Sequence, residues 1–403
     1  MKYVVLLYDG MADCPVAELN NKTPMETARK PLFDAMGRDA EVGMARTIPA
    51  GMPLGSDVAN LSVLGYDPAR YYTGRSPIEA VSIGVPVGPG DLTMRCNLVT
   101  LSDNAPFESK TMLDYSGGEI STPEAAQLIA AVQEALGSDE FTFYAGVQYR
   151  HCLLWKNAAA RINELGTLTP PHDILDRPIA NHLPPPMLLE IVKESHTILD
   201  RHSINIARRA AGKRPANSIW LWGEGTKPAL PDFYGLHGLK GSIISAVDLL
   251  KGIGILAGMR APHVVGATGW LDTDYEGKAR CAVEELRSGC DFVYLHFEAT
   301  DEAGHRGDLA GKIRGIELID ERVLPTLLGY LEQEDDYALM ILPDHPTPLC
   351  VKTHTGGMVP YMIFRKSWRG SGRGVDSVSE ATAAATGNVV EYGPDLIAKF
   401  IHP

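Results

Sequence analysis

Residues 1–10 read MKYVVLLYDG, and within them Tyr3–Tyr8 forms an unbroken apolar and β-branched run that stops at Asp9-Gly10. Such a run is typical of a parallel strand that is buried on both faces and delivers a carboxylate to its carboxyl edge. Ligands collect at that edge in open α/β sheets. The opening stretch therefore predicts a central parallel strand with Asp9 at a ligand-binding edge.

Two later runs repeat this pattern. Asp291–Phe297 (DFVYLHF) precedes Asp301, and Tyr337–Leu342 (YALMIL) precedes Asp344-His345. Helical patterns lie between the strands, at Ser242–Leu256, Tyr275–Arg287 and Lys312–Glu332. The alternation of strand and helix predicts an α/β fold with a mostly parallel sheet and helices on both faces.

Residues 87–186 break this rhythm with dense glycine and proline punctuation. Patterns inside the stretch predict a helix at Thr122–Leu136 and strands at Phe141–Tyr144 and His151–Trp155. We interpret 87–186 as a smaller inserted α+β domain, and 1–86 together with 187–403 as a discontinuous core.

Composition limits the classes of partner. The 403 residues carry 37 Lys plus Arg against 50 Asp plus Glu, a formal net charge of −13. This balance argues against nucleic acid or an acidic membrane as a partner. An excess of carboxylates suits both ordinary solubility and the binding of divalent cations, and composition does not choose between the two.

The cysteines and the apolar stretches bear on location. The six cysteines are scattered without a CxxC pair, and the first residues lack the features of a signal peptide. No window reaches the roughly 18 uninterrupted apolar residues of a membrane span. We therefore expect free thiols, a cytoplasmic location and no membrane anchor.

Seven residues are candidates for chemistry because several of them follow predicted strands and should meet at one sheet edge. Alone, each has a plainer structural interpretation, such as a turn aspartate or a hydrogen-bonded histidine. The seven are Asp9, Ser56, Asp301, His305, Asp344, His345 and His354.

Spacing refines two pairs among them. Asp301 and His305 are four residues apart and would share one face of a helical turn, although Gly304 argues against a regular helix there. Asp344 and His345 are adjacent, so in an extended segment their side chains would diverge toward different metal ions.

Carboxylate and imidazole donors without thiolate suit Mn²⁺ or Zn²⁺, with Mg²⁺ or Co²⁺ as alternatives. Two such ions about 4 Å apart form the usual clamp for in-line phosphoryl displacement. Ser56 follows Gly55 at the predicted start of a helix, where a hydroxyl can meet phosphate. On local sequence alone, the plainer interpretation is that Ser56 only caps the helix.

Five ordered motifs then carry a resemblance that runs over essentially the whole chain. They are Asp9-Gly10, Gly55-Ser56-Asp57, DEAGH at 301–305, Asp344-His345 and KTHTGGMVP at 352–360. With YTGRSPIEA at 72–80 and Arg95-Cys-Asn97, the set resembles the alkaline phosphatase superfamily. Within it, the chain is most similar to cofactor-independent phosphoglycerate mutases of the archaeal type.

The resemblance implies a role for each matched residue. Asp9, Ser56, Asp344 and His345 would hold one divalent metal ion, and Asp301, His305 and His354 the other. Ser56 would be transiently phosphorylated while phosphate moves between the 3- and 2-hydroxyl groups of glycerate, with Lys278 near the phosphoryl group. The insertion would close as a lid over a small phosphorylated hydroxy acid, whose anionic groups would be bound by Arg75, Arg150, His151 and Arg214.

Other functions stay open. The chain also resembles a bacterial branch proposed to act as homoserine kinase in threonine biosynthesis, with the same ligands and nucleophile but another acceptor. A metal-dependent phosphatase would use the same site, and a metal-binding regulatory protein would use it without turnover. The chain has no Walker A motif and no kinase-type glycine-rich loop, which favours the mutase over direct use of ATP.

Overall fold

The computed structural model describes residues 1–402, and the chain folds as two units. The core unit is built from Met1–Tyr72 and from the chain beyond Leu230. The second unit is Thr73–Ala229. The insertion predicted at 87–186 lies inside the second unit, which extends further at both ends because its last strand pairs with its first.

The helices and strands follow one another in three stretches of chain. The core unit opens with β1 (Lys2–Tyr8), α1 (Pro24–Thr27), α2 (Pro31–Gly37), β2 (Glu41–Ala45), α3 (Ser56–Val63) and α4 (Pro68–Tyr71). The second unit contains α5 (Ser76–Ser82), β3 (Leu92–Leu101), β4 (Met112–Asp114), α6 (Thr122–Leu136), β5 (Phe141–Tyr144), β6 (Arg150–Trp155), α7 (Pro186–Asp200), α8 (Ser203–Ala210) and β7 (Ser218–Thr226). The core unit resumes with α9 (Phe233–His237), β8 (Gly241–Ile244), α10 (Asp248–Leu256), α11 (Tyr275–Arg287), β9 (Phe292–Phe297), α12 (Ala299–Arg306), α13 (Leu309–Arg322), α14 (Leu324–Leu331), β10 (Tyr337–Leu342), β11 (Val359–Arg365), α15 (Glu380–Ala385), β12 (Val389–Val390) and α16 (Asp395–Ile401). Short 3₁₀ helices lie at Ala17–Leu19, Phe107–Ser109, Ala159–Glu164, Pro171–Ile174, Ala180–His182 and Lys366–Trp368.

The core sheet has the strand order β12-β2-β11-β10-β1-β9-β8. Strand β1 pairs in parallel with β10 on one side and β9 on the other, and β8 is parallel to β9. Strand β11 is antiparallel to both of its neighbours. The predicted α/β core with a mostly parallel sheet is confirmed, and β1 lies between parallel partners as its continuous apolar run requires.

Side chains on both faces of β1 are buried by helices. Val4 and Leu6 pack in a cluster with residues of α11, α13 and α14. On the opposite face, the ring of Tyr3 meets Phe400 of α16 edge to face, with 5.5 Å between ring centroids. Because β10, β1 and β9 are neighbours and run in the same direction, the segments that follow them meet at one edge of the sheet.

Two helical predictions are corrected by the structure. The pattern at Ser242–Leu256 contains strand β8 and helix α10, because the first apolar residues pair with β9. The pattern at Lys312–Glu332 is divided at Val323 between α13 and α14, and Pro325 in the first turn of α14 has no amide hydrogen with which to continue α13.

The second unit is built on an antiparallel sheet. Strands β4, β3, β6 and β5 pair in that order, and β7 pairs with β3. Helices α6 and α7 cover one face of the sheet, where Leu128 and Val192 pack against Leu153 and Ile219. Among residues 1–402, no helix combines the length and the apolar character needed to cross a bilayer.

Candidate active site

The first group of donor atoms lies at the carboxyl ends of β1 and β10. Asp9, Asp344 and His345 each offer one atom, and these atoms lie within 4.8 Å of one another. The backbone amide of Gly10 donates to Asp344 Oδ1 at 3.1 Å, which joins the two strand ends. Gly10 has φ of +60°, and a Cβ there would lie 2.5 Å from Asp301 Oδ1, so this turn requires glycine.

The prediction that Asp344 and His345 diverge is wrong. Both side chains belong to the first group, and His345 Nε2 lies 3.4 Å from Asp344 Oδ2. The chain leaves β10 as irregular backbone at this point, so the alternation of side chains along a strand no longer applies.

The second group lies on α12 and on the loop after β10. Asp301, His305 and His354 again place one donor atom each within 4.8 Å of the others. Asp301 and His305 share one face of α12, which runs through Gly304 without a break. A Cβ on Gly304 would lie 2.5 Å from the carbonyl oxygen of Thr347, so glycine allows the helix to approach this loop.

Hydrogen bonds to the backbone fix the ring orientation of two histidines. His305 Nδ1 donates to the carbonyl of Lys352 at 3.1 Å, and His354 Nδ1 donates to the carbonyl of Leu54 at 3.0 Å. Each neutral ring therefore has its lone pair on Nε2. The two Nε2 atoms face each other at 3.0 Å, an arrangement that needs a proton or a cation to relieve the repulsion.

The third imidazole is oriented in the same way. Thr347 Oγ1 donates to Asp301 Oδ1 at 2.5 Å, because a carboxylate can only accept, and so receives a hydrogen bond from His345 Nδ1 at 3.2 Å. His345 therefore also presents the Nε2 lone pair toward its group. In its neutral form, each of the three imidazoles thus presents an Nε2 lone pair beside the three carboxylates.

Ser56 is the first residue of α3, and the capping position before it is occupied by Gly55. The interpretation of Ser56 as a mere helix cap is therefore wrong. Its Oγ lies 3.0 Å from His345 Nε2, to which it can donate. The loop just before it receives the hydrogen bond from His354 to Leu54, so the start of α3 contacts residues of both groups.

Burial, neighbouring charges and hydrogen bonds set the electrostatics of the site. Burial, with the charges of Asp344 and Asp301, raises the pKa of Asp9 well above its usual value. Burial acts in the same direction on Asp301, but hydrogen bonds from His305 and His354 hold its pKa well below the usual range. The hydrogen bond to Asp301 also raises the pKa of His305 to about 9. A metal ion bound here would displace protons from these donors.

The donor set fits divalent cations. Asp9 Oδ1 is buried and, within residues 1–402, has no hydrogen-bond partner. A buried carboxylate oxygen without a donor is costly unless a cation faces it. The other donors are carboxylate oxygens and imidazole nitrogens, as Mn²⁺ and Zn²⁺ sites use.

Sequence reasoning missed the residues that hold these donors. Asn60, four residues after Ser56 on α3, donates from Nδ2 to Ser56 O and to Asp344 Oδ2, each at 2.8 Å. Tyr294 of β9 donates to Asn60 Oδ1 at 2.5 Å, and His296 of β9 lies 2.9 Å from Asp9. The sequence signal for these residues was the presence of Tyr294 and His296 within the otherwise apolar run that forms β9.

Lys278 lies on α11 in the core unit and is 1% exposed. Its Nζ donates to the carbonyl of His296 at 2.5 Å and lies 4.1 Å from the centre of the Phe297 ring. Burial lowers its pKa to about 7. Its predicted contact with a phosphoryl group stays a prediction.

The four residues predicted to bind substrate anions all lie in the second unit. Arg75 is paired with Glu79 at 2.7 Å, and Glu79 is also paired with Arg95 at 3.0 Å. Arg150 is exposed and lies over the Tyr149 ring. Three guanidinium groups of the second unit thus lower the pKa of one carboxylate. Burial alone would raise the pKa of Glu79, but Arg95, Arg75 and Arg150 lower it.

The remaining two have different surroundings. Arg214 donates to the carbonyl of Leu113 at 2.7 Å and pairs with Asp114 at 3.1 Å, and its side chain is 57% exposed. His151 is buried, and its Nδ1 accepts from the Gly146 amide at 3.0 Å. The substrate-binding roles of Arg214 and His151 stay predictions.

Comparison with known proteins adds a family to this geometry. A family model described as 2,3-bisphosphoglycerate-independent phosphoglycerate mutase matches residues 37–205. A relative from Geobacter sulfurreducens, named a probable 2,3-bisphosphoglycerate-independent phosphoglycerate mutase, is 48% identical over 98% of each chain. A mutase of the same name from Methanothrix thermoacetophila is 46% identical over the whole of each chain. The solved structure of a cofactor-independent phosphoglycerate mutase from Thermoplasma acidophilum aligns with a TM-score of 0.66 at 25% identity, over 100% of this chain and 99% of that one.

Proposed function

Because this chain belongs to the 2,3-bisphosphoglycerate-independent phosphoglycerate mutase family, we propose that it interconverts 3-phosphoglycerate and 2-phosphoglycerate through a phosphorylated Ser56. The observation that carries the mechanism is the position of Ser56 Oγ, 3.0 Å from His345 Nε2 of the first group, with the Leu54 carbonyl two residues earlier bonded to His354 of the second group. A nucleophilic hydroxyl next to two cation sites is the arrangement that phosphoryl transfer requires.

We assign Asp9, Ser56, Asp344 and His345 to one divalent ion and Asp301, His305 and His354 to the other, with Mn²⁺ or Zn²⁺ as the preferred metals and Mg²⁺ or Co²⁺ as alternatives. When bound, these ions would lower the pKa of the serine hydroxyl and offset charge on the phosphoryl oxygens.

The chain itself positions the nucleophile. Helix α3 begins at Ser56, so the hydroxyl lies beside first-turn backbone amides that, apart from the Val58 amide bonded to Asp57 Oδ1, can donate to phosphate oxygens. Asn60 holds the Ser56 carbonyl and Asp344 together, which sets the distance between the nucleophile and the first group.

The reaction balances in two halves. In the first, a bond forms between Ser56 Oγ and phosphorus, the bond from phosphorus to the C3 oxygen of the substrate breaks, and the serine proton ends on that oxygen. In the second, the C2 hydroxyl of the same glycerate accepts the phosphoryl group and returns a proton to Ser56. Glycerate must stay bound between the halves, since water would otherwise hydrolyse the phosphoserine.

Retention of glycerate needs cations and exclusion of water. We propose that Lys278 acts on the phosphoryl group, that Arg75, Arg150 and Arg214 bind the anionic substrate as cations, and that His151, whose ring is neutral, donates to it from Nε2. The proposed lid role of residues 87–186 belongs to the same step, because water must be excluded while glycerate re-orients. Arg95 belongs with this set, because it shares Glu79 with Arg75.

The homoserine-directed and phosphatase alternatives are not favoured, because relatives at 46% and 48% identity over nearly their whole length are named as mutases. A direct test follows 2-phosphoglycerate formation from 3-phosphoglycerate with the purified full chain, without added 2,3-bisphosphoglycerate. We expect turnover with Mn²⁺, its loss with EDTA and its return with excess Mn²⁺. Transfer to homoserine, or release of free phosphate as the main product, would contradict the mutase proposal.

A further inference from the structure

His296 is a fully buried histidine that no step of the mechanism above uses. It lies near the end of β9, and its side chain is 0% exposed. Its Nε2 lies 2.9 Å from Asp9 Oδ2, and its Nδ1 lies 3.1 Å from Ser245 Oγ. Both ring nitrogens therefore have a partner.

The partners decide which nitrogen carries the hydrogen. An ionised Asp9 carboxylate can only accept, so the neutral His296 ring donates from Nε2, and Ser245 Oγ, which accepts from the Val247 amide at 3.0 Å, donates to its Nδ1. The ring hydrogen is then on Nε2, which donates to the Asp9 carboxylate. His296 thus has the opposite tautomer to His305, His345 and His354, whose Nε2 lone pairs face the ion sites.

Two other roles are excluded by this arrangement. His296 cannot ligate a metal ion with its side chain, because neither nitrogen has a lone pair directed at a site. Ser245, His296 and Asp9 include the residue types of a hydrolytic triad, but Ser245 is only 2% exposed and its oxygen accepts an amide hydrogen bond. A substrate could not reach that hydroxyl.

We propose that His296 is a positioning residue for Asp9. By donating to Oδ2 it holds the carboxylate in one rotation, so that Oδ1, the oxygen without a protein partner, faces the first ion site. Hydrogen-bonded partners of ligating carboxylates commonly tune metal affinity in this way.

The scaffold around this contact favours a fixed geometry. Strands β1 and β9 are hydrogen-bonded neighbours, and His296 is paired with Leu7, two residues before Asp9. Lys278 donates to the His296 carbonyl, and Thr300 donates to the Asp9 carbonyl, so both backbones are held. The donor therefore lies within β9, and the acceptor directly follows the end of the adjacent β1, where the Asp9 amide donates to the Phe297 carbonyl.

A pair of amide substitutions tests the contact at one position. The amide nitrogen of glutamine is separated from Cβ by as many bonds as His Nε2, and that of asparagine by as many as His Nδ1. His296→Gln therefore keeps a donor toward Asp9, and His296→Asn keeps a polar group only toward Ser245. We expect His296→Asn to weaken Mn²⁺ binding about 10- to 100-fold and His296→Gln to stay within about 3-fold of the wild type.

The readout is calorimetric Mn²⁺ titration of chelator-treated, dialysed full-length protein, at a temperature where circular dichroism shows every variant folded. Ser245→Ala keeps the imidazole and provides a second variant, which we expect to weaken binding by less than His296→Asn. Tyr275→Phe is the matched control, because it removes a buried hydroxyl without a hydrogen-bond partner from the neighbouring helix α11, and its affinity should be unchanged.

The inference rests on the metal-binding role proposed for Asp9. The titration distinguishes a failure of that role from a failure of the inference. Failure of the wild type to bind Mn²⁺ would overturn that role and the inference with it. If the wild type binds Mn²⁺ and the variants His296→Asn and His296→Gln bind it with equal affinity, the inference alone is overturned. If the asparagine variant does not fold, Ser245→Ala decides, and wild-type affinity in that variant counts against the proposal.

Discussion

Ser56 shows how much a single position along the chain matters. One residue earlier, a serine would satisfy the amides of its own helix as a cap. As the first residue of α3, it makes no capping hydrogen bond and instead contacts His345. The same residue type has a structural role at one position and, in the mechanism we propose, a chemical role at the next.

Replacing Ser56 tests this role directly. We expect Ser56→Ala to lower kcat by more than about 10³-fold, because no other hydroxyl at this position can accept the phosphoryl group. Its free energy of unfolding should change by less than about 1 kcal/mol, since Ser56 caps no helix. Ser62→Ala, which removes an unpaired buried hydroxyl from the same helix, should retain activity. Mutase turnover in Ser56→Ala would remove the phosphoserine step.

Helix α3 and strand β9 act together at the scale of elements. Asn60 and Tyr294 form one connection from the strand to Asp344, and His296 forms another to Asp9. Tyr294 and His296 are two residues apart, so both point to the same face of β9. One strand, which lies next to the edge strand β8, thus contacts both carboxylates of the first group, directly or through Asn60.

Asn60→Leu tests the first connection. The substitution keeps the number of side-chain heavy atoms but leaves Tyr294 Oη, Asp344 Oδ2 and the Ser56 carbonyl without this partner, so we expect a stability loss on the order of 3 kcal/mol. We also expect kcat to fall at least about 10-fold, because Ser56 is no longer tied to Asp344. The measurements are urea unfolding and steady-state turnover.

Asn205→Leu is the matched control for that variant. Asn205 is also a fully buried amide, but it bonds only backbone groups of the second unit, at Leu199 and Ala216. We expect it to lose stability by a similar amount while kcat of the folded enzyme is preserved. Equal losses of kcat in the two variants would show that the Asn60 effect is not specific.

At the scale of the whole molecule, the sheet concentrates three buried carboxylates, Asp9, Asp301 and Asp344, at one edge. Their mutual repulsion opposes folding unless cations offset it. We expect Mn²⁺ to raise the thermal unfolding midpoint over that measured in EDTA, since an ion at about 100 times its Kd adds about 2.7 kcal/mol per site.

Two aspartate variants separate this effect from general screening. Asp301→Asn should reduce the Mn²⁺-dependent increment, because it removes the negative charge of one proposed ligand in the second group. Asp39→Asn should leave the increment intact, because that carboxylate accepts from the amides of Gly370 and Gly372 outside the site. An increment that is the same in all three proteins would contradict specific binding at these carboxylates.

The second unit has its own acid sensitivity through His151. Burial lowers the pKa of His151 from 6.5 to about 3, so the folded unit keeps the ring neutral where the unfolded chain protonates it. Above about pH 6.5 neither state binds this proton and the group contributes nothing. Below it the unfolded state binds more protons, so stability falls by up to about 1.4 kcal/mol per pH unit.

We expect His151→Gln to make the free energy of unfolding depend less on pH between about pH 6.5 and 5 than in the wild type. Urea titrations read by tryptophan fluorescence provide the measurement, since three of the five tryptophans, Trp155, Trp220 and Trp222, lie in the second unit. Between about pH 7.5 and 8.5 the two slopes should coincide. Equal slopes in the acid range as well would show that His151 is not buried in the neutral form.

Local sequence patterns were sufficient to predict several helices and strands. The predicted strand at Tyr337–Leu342 and the predicted helices at Tyr275–Arg287 and Thr122–Leu136 are confirmed with the same bounds. The spacing of Asp301 and His305 placed both on one helical face, as observed. Periodicity and end signals within a dozen residues carry this information.

Other features needed the folded chain. Gly304 argued against a helix, but the approach of the Thr347 carbonyl makes glycine necessary there. Asp344 and His345 turn toward one group because the chain leaves β10 irregularly. The role of His296 depends on Ser245 and Asp9, both distant in sequence.

The amino-acid sequence by itself determined the α/β class, the strand ends that carry Asp9 and Asp344, and the family, because these follow from local periodicity and from ordered motifs. Only the tertiary structure decided which nitrogen of each histidine faces the ion sites and which oxygen of Asp9 is left for a cation. Those choices are made by hydrogen bonds of about 3 Å between segments up to 300 residues apart, and no local pattern encodes such distances.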